Sequence, residues 1–144
     1  MKKLCFLVCM FVGVSFCAAQ AQTIPLLDST LCYSLEVFRT TFGSFSADNT
    51  FAADSTVKRS IQFQFACNMN RILEVRSLTE WSEYRIMEDG ENDVNSFVYT
   101  TLGTDDTVYK FILESSSNTL SKVFNTADGR THAEINEIHS VFER

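Results

Sequence analysis

Residues 60–67 read SIQFQFAC, and this stretch decides the fold class. Apolar side chains recur at every second position from Ile61 to Cys67 and alternate with small or polar ones. That period of two is typical of a β-strand that buries one face. The sequence therefore predicts a sheet, whose other strands should lie on either side of this segment.

The chain downstream of residue 67 continues as short strands and turns. Five segments have strand character and are separated by polar turns: 71–78, 83–87, 94–102, 107–114 and 120–125. The third and fourth form the clearest hairpin, through a turn at 103–106. Strands joined by short turns pair with their sequence neighbours. We therefore predict an antiparallel β-meander of about six strands.

Both ends of the domain have apolar spacings that favour helices. In residues 28–42 the apolar side chains fall on one helical face, although residues 31–37 also alternate as in a strand. Thr131 and Glu134 have the spacing of a capping box, ahead of an apolar stripe over 135–142. The predicted fold class is α+β: the meander packs against a C-terminal helix and, if 28–42 is helical, against an N-terminal helix. A small β-barrel is the variant.

The first twenty-one residues have the organisation of a cleavable secretory signal. A positive start at 1–3 precedes an uncharged run over 4–19, and AQA at 19–21 supplies the small residues that signal peptidase requires. The apolar run is shorter than the roughly 20 residues that a membrane-spanning helix needs. We expect cleavage before Gln22, no stable membrane anchor, and one secreted or periplasmic globular domain over 22–144.

Two of the five cysteines remain after cleavage, Cys32 and Cys67. In an oxidising compartment two cysteines predict one disulfide. The alternative is a pair of buried free thiols, because each cysteine lies in an apolar run. Lipidation at Cys17 would need a small residue before it, and the residue there is a bulky Phe.

The domain that remains is strongly acidic. Twelve Lys and Arg include Lys2 and Lys3 of the leader, so ten remain against eighteen Asp and Glu, a net charge of −8. Such a domain repels phosphate backbones, and no basic cluster stands out. We therefore expect no nucleic-acid partner.

The sequence contains no convincing catalytic or metal-binding pattern. His132 and His139 would share one side of the predicted closing helix, but no third ligand completes a metal site. The acidic loop at 89–93 lacks the glycine and the glutamate of an EF-hand. No Gly-x-Ser-x-Gly elbow and no phosphate-binding glycine loop occur. These observations favour a protein that is not an enzyme and that has no cofactor or metal.

The aromatic content is the one feature that suggests a function. Phe97 and Tyr99 lie on one face of their strand while Val98 lies on the other, so both faces are apolar. Such a strand needs a covering layer, a pocket or a partner, which makes Phe97 and Tyr99 the candidate ligand or partner surface. Our first hypothesis is a small domain that binds an apolar or amphipathic ligand. The alternative is a protein-interaction or inhibitor domain that uses an exposed sheet face or edge.

Overall fold

The computed structural model describes residues 31–143, and within that range the chain is all β. Eight strands follow one another along the chain: β1 (Leu31–Phe45), β2 (Phe51–Ala66), β3 (Arg71–Val75), β4 (Trp81–Asp93), β5 (Ser96–Gly103), β6 (Val108–Glu114), β7 (Thr119–Asn125) and β8 (Thr131–Glu143). Each strand pairs antiparallel with the next, and β1 pairs with β8, so the sheet closes into a barrel. The predicted leader at 1–21 and the cleavage point lie outside the described residues.

The predicted α+β class is wrong. Residues 131–143 form β8 instead of a closing helix, and residues 31–45 form β1 instead of an N-terminal helix. The small-barrel variant is nearer to the observed architecture, but the barrel has eight strands and no helix in the described range. The acidic loop predicted at 89–93 is also a strand, because β4 continues to Asp93 and pairs with β5.

The two ends of the barrel are formed by different segments of the chain. One end carries both ends of the described chain, Leu31 and Glu143, and we call it the terminal end. The opposite end carries the turns at 46–50 and 126–130, and we call it the distal end. These turns are short and polar; Gly129, for example, adopts a φ of 79°, which is the left-handed region that favours glycine.

The predicted disulfide is present at the terminal end, where it joins Cys32 near the start of β1 to Cys67 just after β2. The Cα atoms of the two cysteines are 4.8 Å apart, a separation that suits a disulfide without backbone movement. A disulfide of this kind persists in an oxidising compartment.

The barrel interior is packed with side chains from the inward faces of the strands. Ten buried residues form one apolar cluster: Leu35, Val37, Ile61, Phe63, Phe65, Ile72, Tyr84, Tyr99, Phe111 and Leu120. The alternation predicted for β2 is therefore confirmed, with Phe63 and Phe65 inward. On β3 the inward residues are Ile72 and Glu74, whereas Leu73 belongs to a separate small cluster with Ala66.

Candidate functional site

The terminal end of the barrel contains a cavity of about 310 Å³. Its lining comes from five strands and two turns: Tyr33, Leu35, Phe65, Met69, Tyr99, Leu113, Glu114, Ser115, Asn118, Ile138 and Val141. Most of these side chains are aliphatic or aromatic. Because paired strands supply most of the lining, the space exists before any ligand arrives. We call it the terminal cavity.

Aromatic rings form one side of the terminal cavity. Tyr99 packs against Phe65 with 5.4 Å between ring centroids, and against Phe97 with 5.3 Å. Tyr99 lines the cavity, whereas Phe97 is partly buried and packs against the apolar cluster. The structure therefore brings the two candidate residues together, with Tyr99 at the free surface of the cavity and Phe97 supporting its ring.

The Tyr99 hydroxyl stays protonated well into the alkaline range. Burial raises the pKa of this phenol, and the negative charge of Asp89 and the neighbouring Tyr33 raise it further. Asp89 lies directly opposite Tyr99 across the β4–β5 pair. A neutral phenol beside a carboxylate offers a ligand one hydrogen-bonding group in an otherwise apolar wall.

The distal half of the interior is charged instead of apolar. Lys122 donates to Glu74 at 2.9 Å and lies 3.0 Å from Glu134. Arg59 reaches the same Glu134 at 3.2 Å, and Arg76 lies 2.9 Å from Glu74. These five charges join β2, β3, β7 and β8 with the segment after β3. We call them the ion network.

The electrostatics of the ion network favour the charged form of Glu74 and the neutral form of the Tyr84 phenol. Burial alone raises the pKa of the Glu74 carboxyl, but Lys122, the Tyr84 hydroxyl and Arg76 outweigh that effect and hold the pKa below its usual range. Tyr84 donates its hydroxyl to Glu74 at 2.9 Å. Burial, followed by the charge of Glu74, raises the pKa of Tyr84. The network is thus satisfied internally, as a buried set of charges must be.

A polar side-chain layer continues from the ion network to β1. Arg59 donates to the hydroxyl of Thr40, which donates to Asn136 at 2.8 Å. Asn136 in turn donates to the backbone carbonyl of Leu120 at 3.0 Å. These paired polar groups occupy the interior next to the terminal cavity. A larger and more polar space of about 770 Å³ lies at the distal end, between the turns at 46–50 and 126–130, and shares no lining residue with the terminal cavity.

The two histidines lie on opposite faces of β8, so they do not form a pair. His132 stacks on Phe124 and His139 packs edge-on against Phe38. In residues 31–143 no group of three or more His, Cys, Asp or Glu is placed to hold a metal ion. A helix with the length and apolar character to cross a membrane is likewise not found in this range.

Sequence reasoning missed the ion network and most of the cavity lining. No role was predicted for Glu74 or Lys122, because an interior position on a strand is expected to be apolar, and Glu134 was assigned to a helical capping box. The available signal was spacing: Glu74 follows Ile72 at an interval of two, and Lys122 follows Leu120 in the same way.

Comparison with protein-family models, with curated proteins and with solved structures finds no match to this chain. Its function therefore has to be argued from the site alone.

Proposed function

We propose that this chain is a secreted or periplasmic domain that binds a small apolar or amphipathic ligand in the terminal cavity. The observation that carries the proposal is the cavity itself, an apolar space of about 310 Å³ at one end of a closed barrel. Barrels of eight strands have interiors just wide enough to be filled by side chains or to hold one small ligand. Here the ion network occupies part of the interior, and the terminal half leaves a mainly apolar space.

The shape and chemistry of the cavity suit this role. Binding sites for small molecules are mainly apolar concavities with a few polar groups that orient the ligand. Leu35, Leu113 and Ile138 supply the apolar walls, and the hydroxyls of Tyr33 and Tyr99 supply polar groups. A ligand that fills the space would remove apolar surface from water, at about 25 cal/mol per Å².

The disulfide supports the proposed secreted or periplasmic location. Cytosolic thiols are usually kept reduced, so the bond between Cys32 and Cys67 supports an oxidising compartment and is consistent with export. The leader predicted over residues 1–21 agrees with that assignment.

Titration with N-phenyl-1-naphthylamine, a neutral dye that fluoresces in apolar surroundings, tests the proposal. Val141 lines the cavity and is 59% exposed, so Val141→Trp places a large ring at the opening with little strain on the core. The matched control is Val108→Trp, because Val108 is 50% exposed at the distal end of β6.

The wild type and the Val108→Trp variant should bind the dye with one site and similar affinity. Val141→Trp should weaken binding by about tenfold or more, which corresponds to roughly 1.4 kcal/mol. Equal dye affinity in all three proteins, or no saturable binding by the folded wild type, would refute a ligand site in the terminal cavity.

A second candidate function, interaction through a strand edge, is favoured by β2. This strand pairs with β3 only through Gln62–Phe65, whereas its first part, residues 51–61, pairs with β1 alone among the described strands. Such an edge can accept a strand from another protein. Sedimentation equilibrium tests the self-pairing form: a dimer whose amides at 52–60 gain protection from hydrogen exchange supports it, and a strictly monomeric protein counts against it.

A further inference from the structure

We infer that the ligand of the terminal cavity is an organic cation: an ammonium group attached to an apolar body. The inference rests on the proposed binding function and specifies the chemical class of the ligand. Three features carry it, namely carboxylates on the cavity side of the terminal end, the position of the described basic residues, and the aromatic rings at the opening.

Three carboxylates lie on the inward face of the sheet at the terminal end. Asp89 is paired with Tyr99, and Glu91 is paired with Phe97, across β4 and β5. Glu143 is paired with Tyr33 across β8 and β1. Residues directly opposite each other in an antiparallel pair project to the same face. Asp89, Glu91 and Glu143 therefore project on the same side as the rings of the cavity, and all three are exposed. They lie outside its lining, whereas a fourth acidic residue, Glu114, lines the cavity itself; we call these four acidic residues the rim.

The described basic residues do not neutralise this rim. The inward-facing cations belong to the ion network in the distal half, where Glu74 and Glu134 already pair with them. Arg71 lies at the terminal end, but it alternates with the inward Ile72 and therefore faces outward, 3.9 Å from Glu83. The described part of the opening is consequently negative, which attracts cations and repels carboxylate ligands.

The aromatic lining gives a cation favourable contacts inside the rim. Ammonium groups are attracted to the faces of Tyr and Phe rings, and the attraction strengthens when the site excludes water. Tyr33, Phe65 and Tyr99 all line the cavity, and the rings of Phe65 and Tyr99 meet at a tilt of 52°. An ammonium at the opening would contact rings and carboxylates while its apolar part occupies the space between Leu35, Leu113 and Ile138.

Three probes with one tail and different head groups test the inference: decyltrimethylammonium, decanol and decanoate. Each competes with N-phenyl-1-naphthylamine at neutral pH and low ionic strength, below its micelle concentration. Decyltrimethylammonium should bind about tenfold more tightly than decanoate, with decanol between them. In roughly 1 M salt, where the Debye length falls to about 3 Å, the difference between the charged probes should shrink severalfold.

Two double variants of equal net charge identify the carboxylates that cause the preference for the cationic probe. Asp89→Asn with Glu91→Gln removes two charges from the inward face. The control, Asp54→Asn with Glu88→Gln, also removes two charges, but Glu88 faces outward beside Asp89 and Asp54 lies near the distal end. The first variant should lose most of the preference for the cationic probe while it still binds decanol, and the control should keep the preference. Circular dichroism and a thermal melt establish that both variants fold.

The possible results separate this inference from the proposed function. If no probe displaces the dye from the folded wild type, the proposed function fails. If decanol binds but decanoate binds as tightly as decyltrimethylammonium, the cavity is a ligand site and the cationic specificity is wrong. If the control double variant loses the preference as much as the rim variant does, the preference reflects the net charge of the protein, and the role of Asp89 and Glu91 is refuted.

Discussion

At the scale of single residues, Gly43 shows how tightly the outer surface of β1 is packed. A Cβ added there would lie 2.5 Å from the Phe51 ring and would also overlap the carbonyl oxygen of Ala52. Backbone atoms cannot move aside cheaply, so Gly43→Ala should lower the free energy of unfolding by about 1–3 kcal/mol. Urea unfolding followed by circular dichroism measures the change.

Gly90 on β4 provides the control for this substitution. No atom lies within 4 Å of a Cβ built at that position. Gly90→Ala should therefore change the free energy of unfolding by no more than about 0.5 kcal/mol in either direction. If both alanine substitutions lower the free energy of unfolding equally, the cost does not come from the close contacts at Gly43, and the packing argument for Gly43 is wrong.

Single residues also explain why part of the site could be predicted and part could not. Phe97 and Tyr99 were identified because apolar side chains on both faces of one strand are unusual. The polar interior positions Glu74 and Lys122 gave no such signal, because a charged residue on a strand normally faces water. Their partners come from strands that are distant in sequence, and spacing along one strand carries no information about such pairing.

At the scale of elements, the two wrong helices have separate physical causes. In β1 the pairing shifts between Val37 and Arg39, so the inward face passes from Val37 to Thr40 and Phe42. A bulge of this kind turns the intervals of a strand into intervals that resemble a helix. In β8 the inward positions include Glu134 and Asn136, so the alternation is hidden and the remaining apolar residues fall at helical spacing.

The elements that the sequence did predict are strands joined to their neighbours by short turns. The β5–β6 hairpin predicted over 94–114 is confirmed as Ser96–Gly103 and Val108–Glu114. Its turn is held by Asp105, whose carboxylate accepts hydrogen bonds from Thr107 and Tyr109. Local turn chemistry is visible in the sequence. The β1–β8 pairing that closes the barrel is not visible there, because it joins opposite ends of the domain.

The disulfide clamps β1 to the end of β2 across a sequence separation of 35 residues. On the chain-entropy account, closing a loop of this length stabilises the fold by about 3–4 kcal/mol. The variant with both Cys32→Ser and Cys67→Ser should therefore unfold at a clearly lower urea concentration than the oxidised wild type. Wild type that has been reduced should match the double variant; an oxidised protein no more stable than either would show that the bond adds nothing.

At the scale of the whole molecule, the ion network connects strands that are not neighbours in the sheet. Lys122 on β7 reaches both Glu74 on β3 and Glu134 on β8, and Glu134 also receives Arg59 from β2. Breaking a buried ion pair by removing one partner typically costs about 3–5 kcal/mol, since the remaining charge stays buried. Two of the strands that line the terminal cavity, β2 and β8, also carry network residues, so the network holds the distal part of these two strands.

The ion network should make the stability of the whole barrel depend on pH in the acid range. Because the folded-state pKa of Glu74 lies below its ordinary value of 4.5, its contribution is fully present above that pH and is lost as pH falls through the folded pKa. Glu74→Gln should therefore be less stable than wild type at neutral pH, by about 3 kcal/mol. The difference should narrow as pH falls below 4.5, where wild type also loses the charge.

Urea unfolding of wild type and Glu74→Gln across this pH range measures that difference, with Glu88→Gln as the control for an exposed carboxylate on β4. The turn carboxylates Asp48, Asp105 and Asp128 also have lowered pKa values, so every protein in the series should lose stability in acid. Those contributions are common to all three proteins and cancel in the comparison. A wild-type advantage over Glu74→Gln that stays constant at all pH values would mean that the charge of Glu74 does not stabilise the barrel, and that the side chain contributes only through its packing.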